Sequence, residues 1–232
     1  MRQLMDNRDF NKNIKKCITL LENNNFLFQA GCITSLEASD VFKKASRSSL
    51  SYRELYDIGA SRQDFNIMLK DQSFFQFTKE LNDNLRLVYY PNPYNFSEYQ
   101  ETLREYEDLL INGDLSNEEY EQFLSEEFFT SDIPLIRYDY APNQYCENYH
   151  PAAHLHIGFE AENRWPVKRV LSPYAFLLKI LMIYYSKLWK EWGNNGDAAN
   201  SLDELYREEL ISCKHLDTEL FSSIEEKRLY FH

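Results

Sequence analysis

The stretch Ile133–Trp192 reads IPLIRYDYAPNQYCENYHPAAHLHIGFEAENRWPVKRVLSPYAFLLKILMIYYSKLWKEW. Two of its runs, Ile133–Tyr140 and His154–Glu160, read as short strands. From Tyr174 to Trp189 follows the most apolar helix-length segment of the chain. Ser172 is placed to cap that helix and Pro173 takes its first position, where the missing N–H costs nothing. Lys179, Ser186 and Lys190 make one narrow polar stripe, so the spacing predicts a buried central helix over Ser172–Trp192.

Upstream, the period changes along the chain. Phe10, Ile14, Cys17, Ile18 and Leu21 recur at helical spacing, and Asn23–Asn25 end that helix. Phe26–Ala30 reads as a strand and Ser35–Ala45 as a second helix, with Leu36, Val41, Phe42 and Ala45 inward. Ser49–Tyr56 adds a helical turn before Gly59. From Asp64 the pattern alternates. Phe65, Ile67 and Leu69, then Phe75 and Phe77, then Leu85, Leu87 and Tyr89 predict a three-stranded antiparallel meander with one buried face. Pro91 and Pro93 stop its last strand, because proline cannot donate to the ladder.

Residues 96–129 read as an acidic helical insertion. Between Ser97 and Glu127 lie eleven acidic residues and a single basic one, and Asn112-Gly113-Asp114 divides the segment into two helices. Such a face is either solvated or a surface for a basic protein partner. Ser201–Cys213 and Thr218–Tyr230 add two peripheral acidic helices. No internal repeat and no long linker divides the chain, which predicts a single α+β domain over residues 1–232. Its sheet is mainly antiparallel, with the central helix buried against it and acidic helices around the edge.

Composition narrows the function classes. The chain has 232 residues, enough for a core without disulfides, and 17 Tyr and 16 Phe must supply much of it. Cys17, Cys32, Cys146 and Cys213 are widely spaced, which is neither a zinc-ribbon nor a disulfide-framework pattern. The N-terminal segment lacks a signal-peptide core, and the apolar run is shorter than the roughly 20 residues of a bilayer span. A cytoplasmic protein without a membrane role is expected. A net charge of −12 argues against broad nucleic-acid binding and leaves room for a local basic pocket. No phosphate-cradling glycine loop and no G-x-S-x-G is present.

The candidate chemistry lies in the opening stretch. Residues two apart on a strand share a face, so Arg137 and Asp139 project together, as do His154 and His156. If the strands pair, these four candidate catalytic residues converge. Such a cluster offers an imidazole base and acid, a carboxylate to fix a tautomer, and a guanidinium for an oxyanion or phosphate. The same residue types would also result from a cross-strand ion pair and two backbone-bonded histidines. His-x-His with a carboxylate also suits a divalent metal, with His150 as a third nitrogen. No clearer ligand set supports a metal, and no cofactor is predicted. His150, Arg164, Lys168 and Arg169 are candidate binding residues, the last three in a basic turn.

The segments SFFQF (Ser73–Phe77), LRLVYYPNP (Leu85–Pro93), RYDYAP (Arg137–Pro142), HPAAHLHIG (His150–Gly158) and SPYAFLLKI (Ser172–Ile180) resemble, in that order, a bacterial family known only as a domain of unknown function. The resemblance covers Phe65 to Tyr185 and implies no established activity. The chain departs from the family pattern at Ala153, where the family favours Ser, and at Asn163-Arg164-Trp165-Pro166, where it favours Cys-Arg-Ile-Pro. RYDYAP with clustered histidines is also loosely similar to small bacterial toxins carrying Arg-Tyr-Asp-Asn-Ala-Pro, which makes RNA cleavage and a defence setting worth testing.

Two functions are therefore carried forward. One is a bacterial accessory or effector protein of a defence or mobile-element locus, acting through protein contacts. The other is a phosphodiester- or nucleotide-processing enzyme, ribonuclease-like, built on Arg137, Asp139, His154 and His156. They differ in geometry: four side chains lining a common open pocket favour the enzyme, and imidazoles buried and satisfied by backbone groups count against it.

Overall fold

The alternating segments pair as one long meander. In a computed structural model, β1 (Leu27–Ala30), β2 (Ile67–Leu69), β3 (Phe74–Lys79), β4 (Leu85–Tyr90), β5 (Ile136–Tyr140), β6 (Ala153–Ile157) and β7 (Trp165–Pro166) form an antiparallel sheet in chain order. The structure describes residues 5–48, 51–80, 82–94, 97–126, 134–159, 162–193 and 201–228. The helices are α1 (Asn7–Asn23), α2 (Asp40–Ser48), α3 (Tyr52–Ser61), α4 (Ser97–Asn112), α5 (Asn117–Glu126), α6 (Pro173–Tyr184), α7 (Ser186–Gly193), α8 (Leu202–Ser212) and α9 (Ser223–Arg228). A small ribbon, β8 (Arg169–Val170) with β9 (Lys214–His215), leads into α6. The chain is an α+β protein.

Strand alternation gives the sheet two different faces. Phe75, Phe77, Leu87, Tyr89, Ile136 and Tyr138 point to one side and build the main core with α1 and α6. Phe176 of α6 meets Phe75 and Phe77 edge-on, at 6.3 Å and 6.4 Å between ring centres. On the opposite side, Phe74, Val88, Tyr90 and Leu135 pack with Phe42, Leu55, Tyr56 and Phe65 in a second, aromatic-rich core under α2 and α3. The expectation of one buried face is thus corrected. The aromatic residues at even positions of β3 and β4 are as buried as their neighbours, because α2 and α3 cover them. This second core ends before the far halves of β4, β5 and β6.

Other boundaries shift for local reasons. The central helix breaks at Tyr185, so the single helix expected over Ser172–Trp192 is two. Ser172 caps α6 as expected, its hydroxyl accepting from the Ala175 N–H. Tyr185 leaves the helix with its hydroxyl 2.6 Å from both the Tyr89 hydroxyl and Asp71 Oδ2, and only α6 is deeply buried. The second helix starts at Asp40, not Ser35, since Leu36 donates its N–H to the Phe77 carbonyl at 2.9 Å and the Ser39 hydroxyl caps Phe42. Val41 is consequently exposed. The segment before Gly59 is a full helix that contains it. A Cβ there would lie 2.7 Å from Phe74 and 2.9 Å from Phe42, so glycine lets α3 pack closely on the second core.

The acidic insertion forms α4 and α5, which pack on one another, and residues 127–133 lie outside the described ones. The last expected helix is shorter, beginning at Ser223 after a turn at Asp217–Phe221, and residues 229–232 also lie outside. No helix among the described residues is long and apolar enough to cross a membrane.

Candidate active site

The uncovered part of the second sheet face is polar, and the register dictates its layout. One row across the sheet runs Arg86, Asp139, His154 and Pro166; the next runs Val88, Arg137 and His156. Arg137, Asp139, His154 and His156 therefore share one face, and Arg86 joins them from β4. They form the floor of a cleft of about 270 Å³ whose wall includes Glu80, Asn84, Gln144, His150 and Arg164. A larger groove of about 860 Å³ shares Glu80, Arg86 and Arg137 with it and runs over Val88, Tyr90 and Leu135 toward α2.

Asp139 is the hub. Arg86 Nε donates to Oδ1 at 3.0 Å and Arg137 Nε donates to Oδ2 at 2.8 Å. Burial alone would push the Asp139 carboxyl up, but the two guanidiniums outweigh it and hold the group below the usual carboxylate range. Asp139 is thus a carboxylate at neutral pH. Oδ2 also faces His156 Nε2 at 3.6 Å, beyond ordinary hydrogen-bond length.

The imidazoles form a chain. His154 Nε2 and His156 Nε2 are 3.1 Å apart, and both rings are almost fully buried. His154 Nδ1 lies 2.8 Å from the Pro151 carbonyl. A carbonyl only accepts, so Nδ1 carries the hydrogen and Nε2 of the neutral ring presents a lone pair. Burial pushes His154 down to about 4, so the ring is neutral near pH 7. The His150 ring stands edge-on to His154 with centres 4.9 Å apart. Its Nδ1 is buried without a hydrogen-bond partner, and burial with the nearby Arg164 lowers its proton affinity.

The other expected binding residues divide. Arg164 is exposed at the cleft wall, just ahead of β7, so the basic turn is partly an edge strand, where proline is tolerated. Lys168 and Arg169 point away. Lys168 pairs with Glu226, and Arg169 Nη1 donates to the Leu210 and Cys213 carbonyls at 2.7 Å and 3.1 Å, closing the end of α8. Arg169 lies in β8, across from β9, and Lys168 just ahead of it, which directs both to the helices instead of the cleft. Arg86 was missed by sequence reasoning. A lone arginine among apolar residues in LRLVYY was the available signal, but residues 96–129 separate β4 from β5 and hide their pairing.

Asp139, His154 and His156 are also the group among the described residues whose ligand atoms lie together as a metal site requires, all within 4.8 Å of one another. The fold and site define an α+β protein with a basic, histidine-bearing cleft on one sheet face. The chain belongs to the family of uncharacterized conserved proteins DUF2290, whose family model matches residues 12–232. No curated protein and no solved structure matches it. The shorter likeness to RYDNAP toxins has no counterpart among these matches.

Proposed function

We propose that the protein is a phosphodiester- or nucleotide-processing hydrolase acting at this cleft. The observation that carries the reading is that Arg86 and Arg137, from adjacent strands, flank one carboxylate beside two imidazoles on the floor of a single cleft. Guanidiniums are suited to gripping phosphate oxygens and to stabilising the charge that builds on them during attack. In hydrolysis the oxygen of water bonds to phosphorus while the bond to the leaving oxygen breaks, and a proton ends on that leaving oxygen. An imidazole lone pair promotes the attack in one of two ways. It takes a proton from the attacking oxygen, or it holds a cation that makes that oxygen more acidic. The adjoining groove, with Tyr90 and Phe159 in its lining, gives room for the nucleoside part of a substrate.

The test is hydrolysis of single-stranded RNA, single-stranded DNA and nucleotides by wild type, His154→Ala and His156→Ala, each confirmed as folded, with and without divalent metal. Turnover of one substrate class by wild type and its loss in both variants is expected. Background rates from all three folded proteins would overturn the reading.

A second reading, an accessory or effector protein acting through protein contacts, is favoured by a separate observation. The acidic α4–α5 hairpin exposes Leu109 and Ile111, the latter at 80%. Exposed apolar side chains on so acidic a segment suit a basic partner with an apolar centre. Co-purification from the native host tests it, and recovery of monomer alone counts against it.

A further inference from the structure

We infer that Asp139, His154 and His156 bind a divalent first-row transition ion of the zinc class at the floor of the cleft. Its role in activating water rests on the hydrolytic reading above, whereas the binding itself does not.

The spacing of the three ligand atoms carries the inference. Around a tetrahedral zinc ion with ligands at about 2.0–2.2 Å, neighbouring ligand atoms are separated by about 3.3–3.6 Å. The observed separations are 3.1 Å between the two Nε2 atoms and 3.6 Å between His156 Nε2 and Asp139 Oδ2. The first falls just short of that range and the second sits at its upper end. The second is too long for the hydrogen bond that a purely structural Asp–His pair would make, and the third pair, His154 with Asp139, lies within 4.8 Å, so a small side-chain shift on binding would close it.

The tautomer agrees with the spacing. The Pro151 carbonyl holds the hydrogen of His154 on Nδ1 and leaves an Nε2 lone pair, which faces His156 Nε2 at 3.1 Å until an ion takes it. A backbone carbonyl behind a ligating imidazole is the usual outer partner of a metal-bound histidine. His150 packs against the same ring and helps to fix its plane. The sheet then supplies rigidity: the two histidines are next-but-one on β6 and Asp139 stands directly opposite His154 on β5. Two imidazoles and one carboxylate leave a coordination position for water, as in catalytic rather than structural zinc sites. Arg86 and Arg137 already neutralise Asp139, so an ion there carries excess positive charge into the cleft. That charge favours a phosphate.

The experiment uses the full chain, freed of metal by chelation. Zinc, manganese and iron(II) are titrated separately, with elemental analysis after dialysis, and cobalt(II) serves as a spectroscopic probe. One equivalent per chain is expected, with visible cobalt absorption that lacks a thiolate charge-transfer band. His154→Ala and Asp139→Asn should bind at least about tenfold more weakly. Cys32→Ser with Cys146→Ser, at the two accessible cysteines, should bind as wild type does. The cobalt spectrum of wild type decides the matter even if a site variant fails to fold. Lack of stoichiometric metal, a thiolate band, or unchanged affinity in folded His154→Ala would overturn the inference. Activity separates the two claims. Hydrolysis that survives complete removal of metal overturns the ion's role in activating water and leaves the hydrolytic cleft. Stoichiometric metal without hydrolysis of any tested phosphodiester supports the ion and overturns the hydrolytic reading.

Discussion

Arg86 stands directly opposite Asp139 across the β4–β5 pair and donates its Nε–H to Oδ1 at 3.0 Å. The two residues are 53 positions apart in the chain. This contact joins the two groups of strands at the cleft floor. Arg86→Gln should cost only about 1 kcal/mol of stability, because the guanidinium is 59% exposed and Arg137 still holds Asp139. Hydrolysis should fall much further, by about 100-fold, if the guanidinium stabilises charge on a reacting phosphoryl group. Urea denaturation and rate measurements on the same preparation check both. Lost stability with an unchanged rate would make Arg86 purely structural.

Tyr185 predicts a pH dependence. Its hydroxyl lies 2.6 Å from Asp71 Oδ2, and burial pushes the Asp71 carboxyl up despite bonds from Tyr185 and Ser73. A folded-state value above the unfolded one means that protonation favours the fold. The contribution is full below the unfolded value of about 3.9 and is lost as pH rises through the folded value. Asp71→Asn removes the titration. The stability of wild type relative to Asp71→Asn should therefore fall as pH rises from about 4 to about 8. Denaturant midpoints across that range measure it, and a difference that grows with pH would contradict the account.

Tyr138 ties the sheet to the start of the central helix. Its buried hydroxyl donates to the Arg169 carbonyl at 2.9 Å and accepts from the Leu171 N–H at 3.1 Å. Tyr138→Phe leaves both backbone groups without that partner, at a cost of about 1–3 kcal/mol. Because Tyr138 points away from the cleft, phosphate affinity should stay within about twofold. Thermal denaturation and a phosphate titration check the pair of outcomes.

The sequence was most legible where one physical constraint acted alone. Strict alternation in RYDY and HLH placed Arg137, Asp139, His154 and His156 on shared faces, and their pairing required only that β5 meet β6. The capped start of α6 was equally plain from Ser172 and Pro173. What stayed hidden depended on contacts between distant segments. Arg86 enters the site through a pairing that the acidic insertion conceals. Phe74 and Tyr90 are buried because α2 and α3 come back over the sheet, and alternation on one strand carries no sign of that cover. Tyr185 breaks an apolar run that is continuous in helix pattern, because Asp71 and Tyr89 supply hydrogen-bond partners outside the helix.

The α4–α5 excursion should be dispensable to the fold. It leaves β4 and returns at β5, which are already neighbours in the sheet, so closing the gap with a short flexible linker costs little loop entropy. Replacing residues 97–126 with a glycine–serine linker should lower the melting temperature by only a few degrees, on the order of 1 kcal/mol. Hydrolysis at the cleft should persist while any partner held by the acidic hairpin is lost. A variant that cannot fold would instead make the hairpin part of the core.

The most direct test is the rate at which the purified chain hydrolyses bis(4-nitrophenyl) phosphate, compared with an Arg86→Gln/Arg137→Gln double variant of the same fold. A wild-type rate well above buffer, falling at least about 100-fold in the variant, is the predicted result. A wild-type rate equal to buffer, or an equal rate in the folded variant, would contradict the assignment of the cleft as a phosphodiester-processing site.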